Sequence, residues 1–442
     1  MNMKKILLLS SIIALLSACG GSGNGELIGV QVRPIWNPTD PYGMVFIPQG
    51  SFIMGPSDQD VPFANVSQSK RVSVGAFYMD ETEITNNEYR QFTNWVRDSI
   101  AHTILGENGE EGHLIEPDYD MNPDKEVRAV DWTTRIRWND PLVREILEEE
   151  MYLPVNERLA GRREFDTRKY IFKYQVLNVN KAAVKDQRET QKNGVEPKGK
   201  TDRSDFLSYT EESIFPDTLT WIHDYTYSFN DPYTQNYFHH PAFDDYPVVG
   251  VNWKQAVAFT KWRTQIMNAF LRRIKEPILP EFRLPTESEW EYASRGGLEQ
   301  SPYPWGGPYT RNAKGCFLAN FKPLRGNYTA DGGEKTIRTA SYNPNSYGLY
   351  DMAGNVAEWT SNTFDESAFS YAHDMNQNNS YNAKESDHAV LKRKVIRGGS
   401  WKDIAYFIQT STRTFEYQDT AKSYVGFRCA VDFLGRDKKD FE

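Results

Sequence analysis

The chain has 442 residues, with 51 Lys and Arg against 60 Asp and Glu and a formal net charge of −9. That length suits one large domain or two to three average ones, with a core that needs no disulfide staples. The acidic balance argues against a nucleic-acid binder, because phosphate contacts need clustered cations, and an aromatic share of 14% argues against a disordered chain.

The chain opens with Lys4 and Lys5, an apolar run from Ile6 to Leu16, and Leu16-Ser17-Ala18-Cys19. The run is too short to cross a bilayer as a helix and reads as a signal peptide over residues 1–18. The four-residue box resembles the bacterial lipoprotein signal, which implies that Cys19 becomes the acylated N-terminus; a plain secretory signal with an incidental Cys is the alternative. Residues 19–43 are then an acylated tether and leader, flexible over Gly20 to Gly25. No acidic run follows Cys19, so the expected location is the periplasmic face of the outer membrane, lipid-anchored.

Met44 to Gly55 reads as two short strands around a turn, and Val72 to Tyr78 as another strand. Thr85-Asn86-Asn87-Glu88 is a capping box, and Tyr89, Phe92 and Val96 recur at helical spacing, predicting a helix over about 86–96. Residues 98–240 differ in texture and read as a long insertion. Within it, Arg144 to Tyr152 is an acidic helix candidate and Lys181 to Asp205 is polar enough to be a loop. Thr218 to Phe238 is aromatic, suited to strands or an interface surface. Order returns at Tyr246 to Val251. Asn252 and Gln255 cap a further helix, whose buried face is predicted to hold Trp253, Ala256, Val257, Phe259, Thr260 and Ile266. A third capping box at Thr286 and Glu289 opens a short helix with Trp290 and Ala293 inward. Beyond Gly296 the chain reads as turns and short strands.

After signal cleavage only Cys19, Cys316 and Cys429 remain. Cys316 and Cys429 are either a disulfide or two buried thiols. No Cys-x-x-Cys spacing exists, which excludes zinc ribbons and thioredoxin-type chemistry.

Phe282-Arg283-Leu284-Pro285-Thr286-Glu287-Ser288-Glu289-Trp290-Glu291-Tyr292-Ala293-Ser294-Arg295-Gly296-Gly297 resembles the signature of the formylglycine-generating enzymes, the sulfatase-modifying-factor family. So do Tyr303-Pro304-Trp305-Gly306, the run from Gly348 to Trp359, Arg397-Gly398-Gly399-Ser400-Trp401 and Gly426-Phe427-Arg428-Cys429-Ala430. The resemblance implies a C-type-lectin-like α+β fold with much irregular structure, built from residues 44–97 and 241–435 and interrupted by the insertion 98–240. It does not bring the enzyme with it. Family enzymes use two copper-binding cysteines after Gly-Gly-Ser, and by register Asp403 and Ile408 stand at those positions. Tyr424 replaces an Asn usual near the groove. No copper and no catalysis are therefore expected.

The resemblance also implies structural calcium. One site matches the side chains of Asp351 and Glu358 with the carbonyls of Gly354 and Val356, an oxygen-rich set of the kind calcium takes. A second matches Asn320, Phe321, Asp331 and Gly333. Weaker signals are a transition-metal site at His239-His240 with Asp244-Asp245, glycosylation patterns at Asp98-Ser99-Ile100 and Asp217-Thr218-Leu219, and a basic cluster of Arg158, Arg162, Arg163, Arg168 and Lys169. That cluster is either a solvated face or a contact for an acidic partner.

A lipoprotein signal, a degenerate enzyme domain and a long insertion after Met79 to Phe92 together resemble the GldK/PorK lipoproteins of type IX secretion and gliding motility. That resemblance implies a structural role: self-association into a periplasmic ring with a GldN/PorN-type protein under the outer membrane. The GldJ type shares the domain. A lectin-like ligand-binding lipoprotein is the alternative, with Trp401, Asp403 and Tyr424 around its groove.

Overall fold

The computed structural model describes residues 40–434 except 57–68, 116–128, 184–205, 228–230, 324–326, 328 and 330–332. The signal region and Cys19 lie outside the described residues, as do Asp331 and most of the polar 181–205 stretch.

Two sheets frame the core. β1 (Met44–Ile47), β4 (Phe77–Asp80) and β13 (Ala430–Asp432) form one, in the order β1-β4-β13, with Met79 opposite both Val45 and Ala430. The second has the order β11-β10-β9-β12 and joins Thr414–Tyr417, Arg393–Arg397, Ala357–Thr363 and Val425–Gly426. The two strands predicted before Gly55 both form but do not pair with each other. β1 pairs with β4, and β2 (Gly50–Met54) pairs with β3 (Lys70–Val74). The single strand expected over 72–78 is two, β3 and β4, separated at Gly75 and Ala76.

All three capping boxes form. Thr85 and Glu88 open α1 (Asn86–Glu107), which runs eleven residues past the predicted Val96 and so carries the parent fold into the insertion. The acidic helix candidate is α2 (Pro141–Met151), and β7 (Ile171–Leu177) pairs with β8 (Leu207–Ser213). Residues 98–240, expected as an insertion, share a core with the segments on either side: Phe172, Tyr174, Ile214 and Phe238 join Tyr89, Phe92, Phe259 and Phe427 in one buried cluster. Tyr89 stacks on Phe259 with centroids 5.6 Å apart, and its hydroxyl donates to Ile214 O at 2.8 Å.

The described residues of Thr218 to Phe238 form no strand. They hold α4 (Thr220–Asp224) and α5 (Pro232–Asn236), and Trp221, Tyr237 and Phe238 are buried. Trp221 and Tyr237 pack with Val249, Val356 and Trp401, and Phe238 joins the cluster around Tyr89, while Tyr227 is exposed.

Asn252 and Gln255 cap α6 (Trp253–Arg273) reciprocally. Its buried face matches expectation at Trp253, Ala256, Phe259 and Thr260, but Ile266 is 40% exposed. The insertion covers the first half of α6 and leaves the second half's outer face open. Thr286 and Glu289 cap α7 (Glu287–Arg295), which ends at left-handed Gly296. All nine residues of α7 are buried, three of them Glu. Arg413 and Arg397 meet Glu287 and Glu291, and Arg283 meets Glu289 at 2.6 Å, so each buried carboxylate has a cation.

Candidate functional site

The Gly-Gly-Ser turn follows β10. Gly398 and Gly399 have φ of 89° and 64°, in the left-handed region. A Cβ at Gly399 would stand 2.6 Å from Phe407 O, so no other residue fits there. Asp403 closes the turn: its Oδ2 accepts from Ser400 N at 3.0 Å and from Ser400 Oγ at 2.6 Å. Burial raises the Asp403 carboxyl above its ordinary value against these bonds. Ile408 is fully buried against Tyr303, Phe317 and Phe321. The Tyr424 hydroxyl donates to Glu416 at 3.1 Å. Of the three residues at the degenerate positions, Asp403 serves as a turn cap and Ile408 as core. Neither supplies a thiolate.

The insertion reaches this place. The rings of Trp221 and Tyr225 stack on Trp401, with centroids 5.8 and 6.0 Å away and interplanar angles of 21° and 20°. Asp224, between them in sequence, accepts from Lys402 Nζ at 2.5 Å and from Ser423 Oγ. Lys402 also lies 5.0 Å from the Tyr424 ring centroid. What remains open is a cavity of about 270 Å³ lined by Asp224, Tyr225, Phe321, Lys322, Trp401 and Lys402, among others.

The first calcium-type segment sits in a buried charge cluster. Glu358 accepts from Arg428 Nε and Nη2 at 2.7 and 2.6 Å and from Trp290 Nε1 at 2.7 Å. Asp351 Oδ2 accepts from Ala340 N at 2.7 Å. Glu83 accepts from Val356 N at 3.0 Å and from Asn355 Nδ2 at 2.6 Å. Burial, reinforced by Asp351 and Glu358, holds the Glu83 carboxyl well above its ordinary value. Burial also raises Asp351 to about 6, against the opposing pull of the Ala340 N–H and Arg428. The cluster thus sets three carboxylates against one guanidinium. Three bonded donors leave one of the four lone pairs of Glu358 free, on Oε1, so the segment can still offer a cation oxygens from Asp351 and Glu358.

For the second calcium-type set, Asp331 is not described. Asn320 Nδ2 donates to Lys335 O and to Asn355 Oδ1, at 2.8 and 3.3 Å, bonds that do not use its side-chain oxygen. His240 Nδ1 accepts from Ala242 N, Asp244 bonds Arg90, and Asp245 pairs with Arg338. No group of three or more His, Cys, Asp or Glu side chains among the described residues is arranged to hold a metal ion. The basic cluster is largely neutralised within the insertion: Arg158 and Arg163 both meet Glu148, and Arg168 meets Asp166 and Glu157. Asp98 pairs with Arg97, and Asp217 Oδ1 accepts from Leu219 N. Cys316 and Cys429 are free thiols.

Sequence reasoning missed Trp221, Asp224, Glu83 and Arg428 as members of these sites. Each comes from a segment 70 or more positions from its partner, and no local pattern marks such a pairing.

Formylglycine-generating enzyme of Bos taurus is 27% identical over 409 residues, covering 91% of this chain and 78% of that protein. The inactive Cα-formylglycine-generating enzyme 2 of Mus musculus is 34% identical over 200 residues, covering 44% of this chain and 51% of that protein. The chain therefore spans about half the length of the murine relative. The structure of PvdO from Pseudomonas aeruginosa aligns over 88% of this chain and 94% of its own at a TM-score of 0.44 and 17% identity. No helix among the described residues is long and apolar enough to cross a membrane. The family described as the sulfatase-modifying factor enzyme 1-like domain matches residues 36–433, and the chain belongs to it.

Proposed function

We propose that this chain is a catalytically silent member of its family that serves as a structural lipoprotein, of the GldK/PorK type in secretion and gliding motility. One observation carries the loss of catalysis. The two positions after Gly-Gly-Ser hold a turn-capping Asp403 and a core Ile408, while Trp221 of the insertion packs on Trp401 beside them. A groove filled by the chain's own aromatic side chains is poorly suited to admit a cysteine peptide. The resemblance of Met79 to Phe92 and the lipoprotein box supports the assembly role. Acylated Cys19 would hold each subunit on the outer membrane in one orientation, and a ring with a GldN/PorN-type partner needs two different faces per subunit.

Negative-stain imaging of the detergent-solubilised, endogenously acylated protein tests this, with mass spectrometry of what co-purifies. Large rings holding a stoichiometric second protein support it. A clean monomer sinks it, and the cavity of about 270 Å³ beside Trp401 and Lys402 then favours the ligand-binding reading. A peptide-oxidation assay tests catalytic silence directly, and copper-dependent formylglycine formation would end that part of the proposal.

Calcium belongs to the same reading. Asp351 and Glu358, with the carbonyls of Gly354 and Val356, would hold it, and the excess of buried carboxylate over Arg428 supports a cation there. Bound calcium would supply structure rather than chemistry, fixing the turn that leads into β9.

A further inference from the structure

The outer face of α6 carries an apolar row that no described residue covers. Ile266, Phe270 and the C-cap residue Ile274 recur every four positions, the spacing that aligns side chains along one helix face. They are 40%, 42% and 45% exposed. Ile278, 52% exposed, adds a fourth apolar side chain on the segment that folds back along the helix, where Leu279 N donates to Asn268 Oδ1 at 3.0 Å. Scattered exposed apolar residues need no explanation; an aligned row does.

Cations rim the row. The Arg273 guanidinium lies 5.5 Å from the Phe270 ring centroid, and Arg272 and Lys275 are exposed at the same end. Between Ala269 and Ile278 the only acid is Glu276.

The domain also begins here. Arg263, three positions before Ile266, pairs with Asp80 at 2.7 Å and donates to the carbonyl of Tyr42 at 3.3 Å. Tyr42 is almost wholly exposed, and Asp40 accepts from the Tyr78 hydroxyl at 2.6 Å. The chain therefore enters the domain at the head of the apolar row, twenty-one positions after Cys19.

We infer that this face of α6 is a membrane-contact surface. Ile266, Phe270 and Ile274 sit at the acyl boundary, and Arg272, Arg273 and Lys275 meet anionic lipid headgroups. The inference rests on the reading of Cys19 as acylated, which fixes one end of a short tether in the bilayer. Tethering raises the local concentration of membrane most for the face nearest the attachment point. Charge complementarity favours an anionic bilayer over a neutral apolar partner.

The mature acylated chain, residues 19–442, is placed in vesicles containing phosphatidylglycerol. Cys316 is replaced by Ser so that a fluorophore labels only an introduced Cys, in Phe270→Cys or in Leu142→Cys on α2. The label at 270 is expected to be shielded from a water-soluble quencher and reached by a bilayer-dissolved one, with the reverse at 142. Equal exposure of both labels to the aqueous quencher overturns the proposal. The mass of the N-terminal peptide separates this from a failure of the lipoprotein reading. If that peptide carries no acyl chain, anchoring is wrong, and flotation of the unacylated mature chain on the same vesicles decides the face alone. Phe270→Glu with Ile274→Glu is expected to lower flotation roughly ten-fold or more, because two apolar side chains no longer leave water. Unchanged flotation, no flotation of the parent chain, or self-association that these substitutions abolish would overturn the membrane assignment, the last by giving the row to a protein contact.

Discussion

The indole of Trp221, from the insertion, lies stacked on the indole of Trp401, two positions after the left-handed Gly399 of the parent fold. Asp224, one helical turn on, bonds Lys402 and Ser423 around the same turn. Residues 221–225 are therefore packed against the Gly-Gly-Ser turn. Truncating either indole removes a large buried ring, at a cost of about 3–5 kcal/mol by urea unfolding. The two losses are expected to be coupled by roughly 0.5–1.5 kcal/mol in a double-mutant cycle of Trp221→Ala and Trp401→Ala, the range for aromatic pairs. Strict additivity would mean that the insertion rests beside the turn without supporting it.

Among the described residues Arg428 is the only cation bonded to Glu358, and it also donates to Asp80 O at 3.1 Å and Tyr350 O at 2.9 Å. Arg428→Met roughly keeps the volume but leaves a buried carboxylate without its cation, though Trp290 still donates to it, and takes a donor from two carbonyls. It is expected to cost about 3–5 kcal/mol, and Glu358→Gln in the same background should recover part of that loss. A Met variant as stable as the parent in urea would show that the pair is dispensable.

Lys394 on β10 is fully buried, donates to Tyr381 O at 2.6 Å, and lies 3.7 Å from the Trp253 ring centroid, with no paired carboxylate among the described residues. Burial lowers its ammonium to about 7. A lysine depressed in the folded state binds fewer protons there than in the unfolded chain between about pH 7 and its ordinary value. Its contribution to stability therefore rises with pH across that window, by about 1.4 kcal/mol per pH unit at most, and is flat below it. Lys394→Met removes this slope and stabilises the protein at pH 6 to 7. Parallel stability–pH curves for the two proteins would sink the assignment.

Calcium is expected to raise the melting temperature by several degrees at neutral pH, with reversal by a chelator. Asp351→Ala should abolish that increment, whereas Asp244→Ala, in the weaker His239-His240 motif, should leave it intact. An unchanged melting temperature in calcium would leave Glu83 and Asp351 to hold protons instead.

Much of the local structure was legible because its causes are local. Thr85, Asn252 and Thr286 each stand three positions before a Glu or Gln, and all three capping boxes close. The helix at Arg144 to Tyr152 and the Gly-Gly turn before Ser400 follow from periodicity and from backbone freedom in the same way. The 72–78 strand failed because two strands of different sheets meet there, and the break at Gly75 and Ala76 depends on their partners rather than on β-propensity. Ile266 was misplaced because helical periodicity identifies an apolar row without saying whether the fold supplies something to cover it.

Family membership was readable from the sequence alone, since it depends on which residues stand at ordered positions. The sequence also determined the α+β character, through capping and alternation along the chain. Only the tertiary structure decided that Asp403 caps a turn, that Ile408 is core and that Trp221 packs on Trp401. It alone set three buried carboxylates around Arg428 and left one face of α6 bare. Those outcomes depend on contacts between segments distant in sequence, where burial strips water from charges and rings and makes each group's role depend on its neighbours in space.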